Sequence, residues 1–267
     1  MPRPSRKIAF VLTASDHGSM IVNRFDYHMV SATAGYGVGF QILENSSYDM
    51  GEVETALRLL ELRRQYHGDG VVAVDCGANI GVHTVEWARH MSQWGMVLAI
   101  EAQEPIYYAL AGNIALNNCF NARAMNAAVG ASTGLMRIPR PDYLSPGSFG
   151  SLELRGHDKA EFIGQVIDYE GRTAEVRALT LDSLALPRVD LLKIDVEGME
   201  LDVLAGGGTL IAAQRPIMIV EYVKSDRQRL TTTLEGWGYR QFPFGLNLLA
   251  VHGDDPCGSR ITIRDKS

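Results

Sequence analysis

Residues 72–84 read VAVDCGANIGVHT, and three structural signals follow one another in that stretch without a break. Apolar, β-branched residues make a buried strand, Gly77 and Gly81 make a turn, and the residues from Val82 fall into helical spacing. This order sets backbone N–H groups and a helix N-terminus at the C-terminal edge of a sheet. That edge is where doubly wound α/β folds bind ligands. Asp75 sits where the strand ends. The two glycines stand four apart and none lies two after Gly77, so the dinucleotide fingerprint G-x-G-x-x-G is not met. A nicotinamide-dependent oxidoreductase is thereby disfavoured.

Working outward, apolar runs and helical patterns alternate from residue 71, the signature of βαβ units and a mostly parallel sheet. A second strand over 96–102 is entered from Gly95. Its Glu101 lies 24 residues after Gly77, close to where an acidic residue binds ribose hydroxyls in such folds. Without the turn before it, this Glu would read as a solvated loop residue. Pro105 opens a helix that buries Ile106, Leu110 and Ile114 and leaves Asn113 and Asn117 as a polar stripe. A third strand fits 122–129. The pattern then lapses through PRPDYLSPGSFGSLEL, part of an insertion over about 134–175 that reads as loop or short hairpin.

Alternation returns in AEVRALTLDSL and in a strand over 190–197, followed by a helix from about Met199 and a strand in PIMIVEYV, 216–223. Ser225 with Gln228 predicts a capping box for the next helix, which carries Leu230, Leu234 and Trp237 on one face. Only Gly245 and Leu246 separate YRQFPF from NLLAVH, so these last strands must be antiparallel. Ahead of the sheet, Val53, Ala56, Leu57 and Leu60 predict a helix over 52–66 with its stop at Gly68. The expected organisation is an extension or cap over 1–70, a core domain over 71–252 and a tail over 253–267.

A chain of 267 residues that is 46% hydrophobic can bury one full α/β core. Its formal charge of −6 argues against electrostatic capture of nucleic acid or an anionic membrane. A small polar or neutral partner is expected, and no run is long enough to span a bilayer. Cys76, Cys119 and Cys257 are odd in number, widely spaced and without a CxxC pair, which points to neither disulfides nor zinc and to a reducing, cytoplasmic setting. Basic residues before the short apolar run 8–14 faintly resemble a signal peptide, but that run is at the lower limit for one and reads as a tail or first strand.

The stretch DLLKIDVEGME, 190–200, poses a physical problem. Lys193, Asp195 and Glu197 share one face of an otherwise apolar strand, and burying charges without partners costs several kcal/mol each. That face must open onto something polar, and at a strand end beside the switch point this is the ligand crevice. The alternative is that Lys193 and Asp195 form a structural ion pair while Glu197 and Glu200 are ordinary N-terminal helix charges.

VDCGANIGVHT, EAQEP, TLDSL, LLKIDVEGMELDVLAGG and a strand ending in Glu221 resemble, in content and order, the FkbM family of S-adenosylmethionine-dependent methyltransferases. The resemblance covers about residues 48–251. It implies a class I methyltransferase, Rossmann-like α/β fold whose seven-stranded, mostly parallel sheet ends in a C-terminal antiparallel hairpin. By this resemblance Asp75, Gly77, Asn79 and Gly81 shape the methionine side of an S-adenosylmethionine pocket, and Glu101 holds the ribose. Gln103 and Asn126 are candidates for the ribose and adenine side. Asp195, Glu197, Lys193 and Glu221 are the expected catalytic residues, and O-methylation of a sugar, glycan or small-molecule natural product is the implied activity.

If Asp195, Glu197 and Glu221 converge, they would suit Mg²⁺. No Asn-Pro-Pro-Tyr-like stretch follows the fourth strand, which weighs against nucleobase N-methylation. A non-catalytic S-adenosylmethionine-binding protein is the rival reading. His83, in the first helical turn, and the other histidines lack ligand spacing and receive no role.

Overall fold

Apolar residues on both faces of a short segment demand cover on both sides, and Val71–Cys76 meets that demand: every residue of this strand is buried. The computed structural model describes residues 7–31, 34–157 and 159–261. Parts of the expected extension and tail, residues 1–6, 32–33 and 262–267, lie outside the described residues, as does residue 158 in the insertion.

The chain begins with a hairpin, β1 (Phe10–Ser15) and β2 (Gly18–Asn23), then the short pair β3 (His28–Met29) and β4 (Gly35–Tyr36). Helices α1 (Val38–Asn45) and α2 (Met50–His67) lead to β5 (Val71–Cys76), α3 (Val82–His90), β6 (Gly95–Glu101), α4 (Glu104–Leu116) and β7 (Ala122–Asn126). The next strands, β8 (Ala128–Val129), β9 (Gly134–Pro139) and β10 (Thr173–Leu179), form a separate small sheet. The chain returns through β11 (Leu191–Ile194), α5 (Glu200–Ala205), α6 (Gly208–Gln214), β12 (Ile217–Glu221) and α7 (Arg227–Gly236), and ends in β13 (Tyr239–Phe244) and β14 (Asn247–His252).

The main sheet has seven strands in the order β13-β14-β12-β11-β5-β6-β7. The run β12 to β7 is parallel, and β14 lies antiparallel between β12 and β13, as the two-residue connection required. The strand order reverses between β5 and β11, so a crevice opens at their C-terminal ends.

Leu191 and Ala73 face one core with α2 and α3, while Leu192 and Val74 face the other with α5 to α7. Residues ahead of β5 share the first core: Met20, Val22, Val53 and Leu60 pack with Val85, Trp87 and Leu249. The expected polar stripe on α4 binds the extension to it. Asn113 Oδ1 accepts from the Ile21 N–H at 2.6 Å, and Asn117 Oδ1 accepts from the Ser19 N–H at 3.1 Å. These amides satisfy edge-strand groups of β2 that would otherwise lack partners. Of the first residues, Phe10–Ser15 is a strand, the second of the two expectations for that run.

Three local expectations are corrected. The strand expected over 122–129 splits, because the chain bends at Ala127 and Ala128–Val129 pairs instead with β10. Asn126 Nδ2 holds the bend by donating to the carbonyls of Glu101 and Ala102 at 2.9 and 3.1 Å. The strand expected over 190–197 stops at Ile194, since Glu197 (φ 56°) and Gly198 (φ 95°) are left-handed and cannot continue a ladder. Asp226, not Ser225, caps α7 by accepting from the Arg229 N–H at 3.0 Å, because the Ser225 hydroxyl is drawn to Glu200.

Candidate active site

The turn after β5 is built for close approach. Gly77 has φ 80°, and a Cβ there would stand 1.7 Å from the carbonyl oxygen of Asp195, so only glycine lets the turn cross the loop after β11. Asn79 is also left-handed, at φ 50°, and its Oδ1 accepts from the Ile80 N–H at 2.7 Å. This local bond suits Asn to such a position. Glu101 closes β6 beside the turn. Its Oε2 accepts from the Asn79 N–H at 3.0 Å and its Oε1 from the Gln103 N–H at 2.7 Å. Burial pushes the Glu101 carboxyl up to about 7, against the opposing pull of those two N–H groups.

Asp75, Gly77, Asn79, Glu101 and Gln103 line a cavity of about 420 Å³, a size that suits a small-molecule ligand. Lys193, Asp195, Glu197 and Glu221 line the same cavity from the other side of the switch point. Gly81 and Asn126 stand apart from its lining. Gly81 begins α3, where a Cβ would lie 2.5 Å from Leu110 Cδ1, so it serves the packing of α4 on the turn. Asn126 holds the bend after β7 and borders a second cavity of about 90 Å³. Gln103 spans both cavities: its Nε2 donates to the Phe149 carbonyl at 2.8 Å and its Oε1 accepts from the Tyr143 hydroxyl at 3.0 Å.

The charges of residues 193–197 are answered by partners. Lys193 Nζ donates to Asp195 Oδ2 at 2.7 Å, and across the ladder Lys193 pairs in register with Asp75. Burial works against the ammonium, but Asp195, Asp75 and Glu52 outweigh it and hold Lys193 protonated far above its ordinary range. The ion pair foreseen as an alternative exists, and it lies inside the cavity wall. Asp75 Oδ2 accepts from Thr84 Oγ1 at 2.7 Å, while its buried Oδ1 has no hydrogen-bond partner.

Glu197 is paired with Lys224 at 2.6 Å; burial and the charge of Asp195 still raise its carboxyl well above the ordinary range. Burial, then the charge of Asp195, pushes Glu221 up to about 8, and its Oε2 is buried without a hydrogen-bond partner. One carboxylate oxygen each from Asp195, Glu197 and Glu221 lies within 4.8 Å of the others. The three therefore converge.

Several side chains at the cavity gave no usable signal in the sequence. Lys224 bridges Glu197 to Glu161 of the insertion at 2.8 Å and donates to the Ser151 carbonyl at 2.6 Å. The Tyr36 hydroxyl donates to Glu161 Oε1 at 2.6 Å. Only Lys224, three residues beyond the end of β12, could have been suspected from position. Glu200 acts structurally. Its Oε1 accepts from the N–H groups of Val196 and Gly198, both at 3.1 Å, and its other oxygen accepts from Ser225. This carboxylate fixes the loop that carries Asp195 and Glu197.

A doubly wound sheet with an antiparallel seventh strand inserted beside β12, and a glycine turn facing an acidic strand end, is the architecture of the Rossmann-like methyltransferase class. Within it, the family model described as the Methyltransferase FkbM domain matches residues 75–241, more than half of the chain, and the chain belongs to that family. Similar proteins include Methyltransferase sdnD of Sordaria araneosa, 28% identical over 204 residues, covering 69% of this chain and 73% of that protein. Methyltransferase 1 of Beauveria bassiana (strain ARSEF 2860) is 28% identical over 151 residues, covering 52% of this chain and 59% of the relative. Among solved structures, Methyltransferase FkbM from Methylobacillus flagellatus KT aligns with a TM-score of 0.47 at 16% identity, covering 72% of this chain. The chain spans about half, 48%, of that protein's length. Among the described residues no helix is long and apolar enough to cross a membrane.

The family implies S-adenosylmethionine, which presents a ribose diol and an amino-acid tail that carries an ammonium. The residues fit both features. Each oxygen of Glu101 accepts one backbone N–H and keeps a lone pair for a hydroxyl. The orphaned Oδ1 of Asp75 supplies a buried acceptor nearby in the same cavity.

Proposed function

We propose that the chain transfers a methyl group from S-adenosylmethionine to a hydroxyl of a sugar, glycan or other small-molecule acceptor. The observation that carries this reading is the placement of two residue groups in one cavity. The Asp75–Gly77–Asn79 turn with Glu101 lies on one side of the strand-order reversal, and Asp195, Glu197 and Glu221 lie on the other. The bound cofactor would supply an electrophilic methyl on a positively charged sulfur, so orientation and exclusion of water can provide most of the acceleration.

In this reading Glu101 and Asp75 fix the cofactor's diol and ammonium, Gly77 admits it against the turn, and Asp195 faces the acceptor. Asp195 takes the hydroxyl proton late in the transfer, as suits a weak base acting on a weak acid. Lys193 positions that carboxylate and Lys224 positions Glu197. Glu221, the carboxyl free of a lysine, hydrogen-bonds the acceptor. The convergence of Asp195, Glu197 and Glu221 is the arrangement Mg²⁺ would require, but two of the three already carry an ammonium partner. We therefore assign the row to acceptor recognition and proton transfer without a metal.

The excess of carboxylates over lysines in the lining and the net charge of −6 weigh against an anionic acceptor. We further propose that the first 47 residues and the insertion 134–175 form the acceptor side, since they contribute Tyr36 and Glu161 to the lining. The test is calorimetric titration with S-adenosylhomocysteine, with NAD as control and Glu101→Ala alongside. Micromolar-range binding that collapses in the variant supports the reading; preference for NAD, or no binding, sinks it.

A further inference from the structure

A second group of ligating side chains meets at the cavity, contributed by the starts of two helices. Asp49 precedes α2, Glu52 lies in its first turn and His83 lies in the first turn of α3. One ligand atom from each stands within 4.8 Å of the other two. Asp49 and His83 line the cavity. We propose that Asp49, Glu52 and His83 bind a divalent transition-metal cation, at a site distinct from the Asp195–Glu197–Glu221 row.

The second observation is a pair of orphaned atoms. Glu52 and His83 are 7% and 6% exposed, and Glu52 Oε1 and His83 Nε2 are both buried without a hydrogen-bond partner. They stand 3.3 Å apart, close enough for an ion pair if the imidazole is protonated, but not aligned as a hydrogen bond. Buried polar atoms are rarely left so unless a ligand completes them. The other oxygen of Glu52 is held from behind by Asn247 Nδ2 at 2.7 Å, the kind of outer contact that orients a metal-binding carboxylate.

Charge balance points the same way. Asp49 and Glu52 bring carboxylate oxygens within 4.8 Å of each other. Two carboxylates so placed need a proton or a cation between them. Two oxygens and one imidazole nitrogen suit zinc or manganese, with the remaining positions open to the cavity. Calcium, which takes six to eight oxygens, is a poor match.

The experiment uses the full chain, stripped with EDTA and titrated calorimetrically with Zn²⁺ and Mn²⁺, with Mg²⁺ as the hard-ion control. The expected result is one-to-one binding of Zn²⁺ or Mn²⁺, tighter than Mg²⁺, with a rise in the thermal midpoint. Affinity should fall by on the order of tenfold or more in His83→Gln and in Asp49→Asn. Circular dichroism checks each variant's fold. Asp49 is exposed, so Asp49→Asn keeps the test decisive even where His83→Gln does not fold. Failure to bind, as when a proton bridges the two carboxylates, overturns the proposal. So does binding unchanged in the folded variants, which marks an adventitious ion only. Because the readouts are heat and melting temperature, the outcome is independent of methyl transfer.

Discussion

The Cα of Gly77 faces the carbonyl oxygen of Asp195 so closely that an added Cβ would stand 1.7 Å from it. This contact locks the turn after β5 to the loop after β11, joining the two halves of the cavity through backbone alone. Gly77→Ala must therefore move one of them, and it also imposes a side chain at φ 80°. We expect a loss of about 2–4 kcal/mol in denaturant unfolding. Binding of S-adenosylhomocysteine should weaken with it. A variant with unchanged stability and unchanged binding would show that the turn relaxes freely.

Lys193 and Asp195 form one ion pair but should respond differently to substitution. The Lys193 side chain is 6% exposed and the Asp195 side chain 31%. Lys193→Met leaves Asp75, Glu52 and Asp195 without their shared counter-ion, and the expected cost is about 3 kcal/mol in stability. Asp195→Asn keeps the hydrogen-bonding shape and leaves Lys193 near Asp75, so stability should change by about 1 kcal/mol or less. Turnover of a methyl acceptor should nevertheless fall on the order of 10²-fold, the loss typical of a positioned base. Equal effects of the two variants on unfolding, with activity retained in Asp195→Asn, would make the pair structural only.

The features readable in the sequence were those set by local pattern. The apolar run 71–76, the glycine turn, the strand ending at Glu101 and the short link at Gly245 and Leu246 each depend on periodicity or on a turn's steric need. They fixed the sheet and one wall of the cavity. What escaped depends on partners distant in sequence. Asn126 ends a strand, but its Nδ2 donates to the carbonyls of Glu101 and Ala102 and it borders the smaller cavity, neither of which spacing predicts. Ser225 looked like a cap, but Glu200 takes its hydroxyl from 25 residues away. Lys224, Glu161 and Tyr36 meet from three segments, two of them irregular or nearly so, and no spacing rule brings such residues together. The charges of residues 193–197 lay between these cases: their alternation predicted a polar environment, while their partners became visible only in three dimensions.

Glu221 offers a test through pH. Burial and the charge of Asp195 raise its carboxyl to about 8 from an ordinary value of 4.5. Below pH 4.5 the folded and unfolded chains both hold this proton, and its contribution to stability is complete. Between pH 4.5 and about 8 the unfolded chain releases the proton while the folded chain retains it, so this contribution declines as pH rises. Above pH 8 the folded protein carries a buried carboxylate with an orphaned oxygen. Glu221→Gln removes the titration and keeps the shape, so the ligand-free variant should gain on the wild type as pH rises from 5 to 9. The expected difference at high pH is at least about 1 kcal/mol, or roughly 2–4 °C in Tm for a chain of this size. Thermal melts of both proteins across that range measure it. Parallel Tm curves would mean that Glu221 is ionised at neutral pH and matched by a cation, and its assignment to neutral hydrogen bonding with the acceptor would fall.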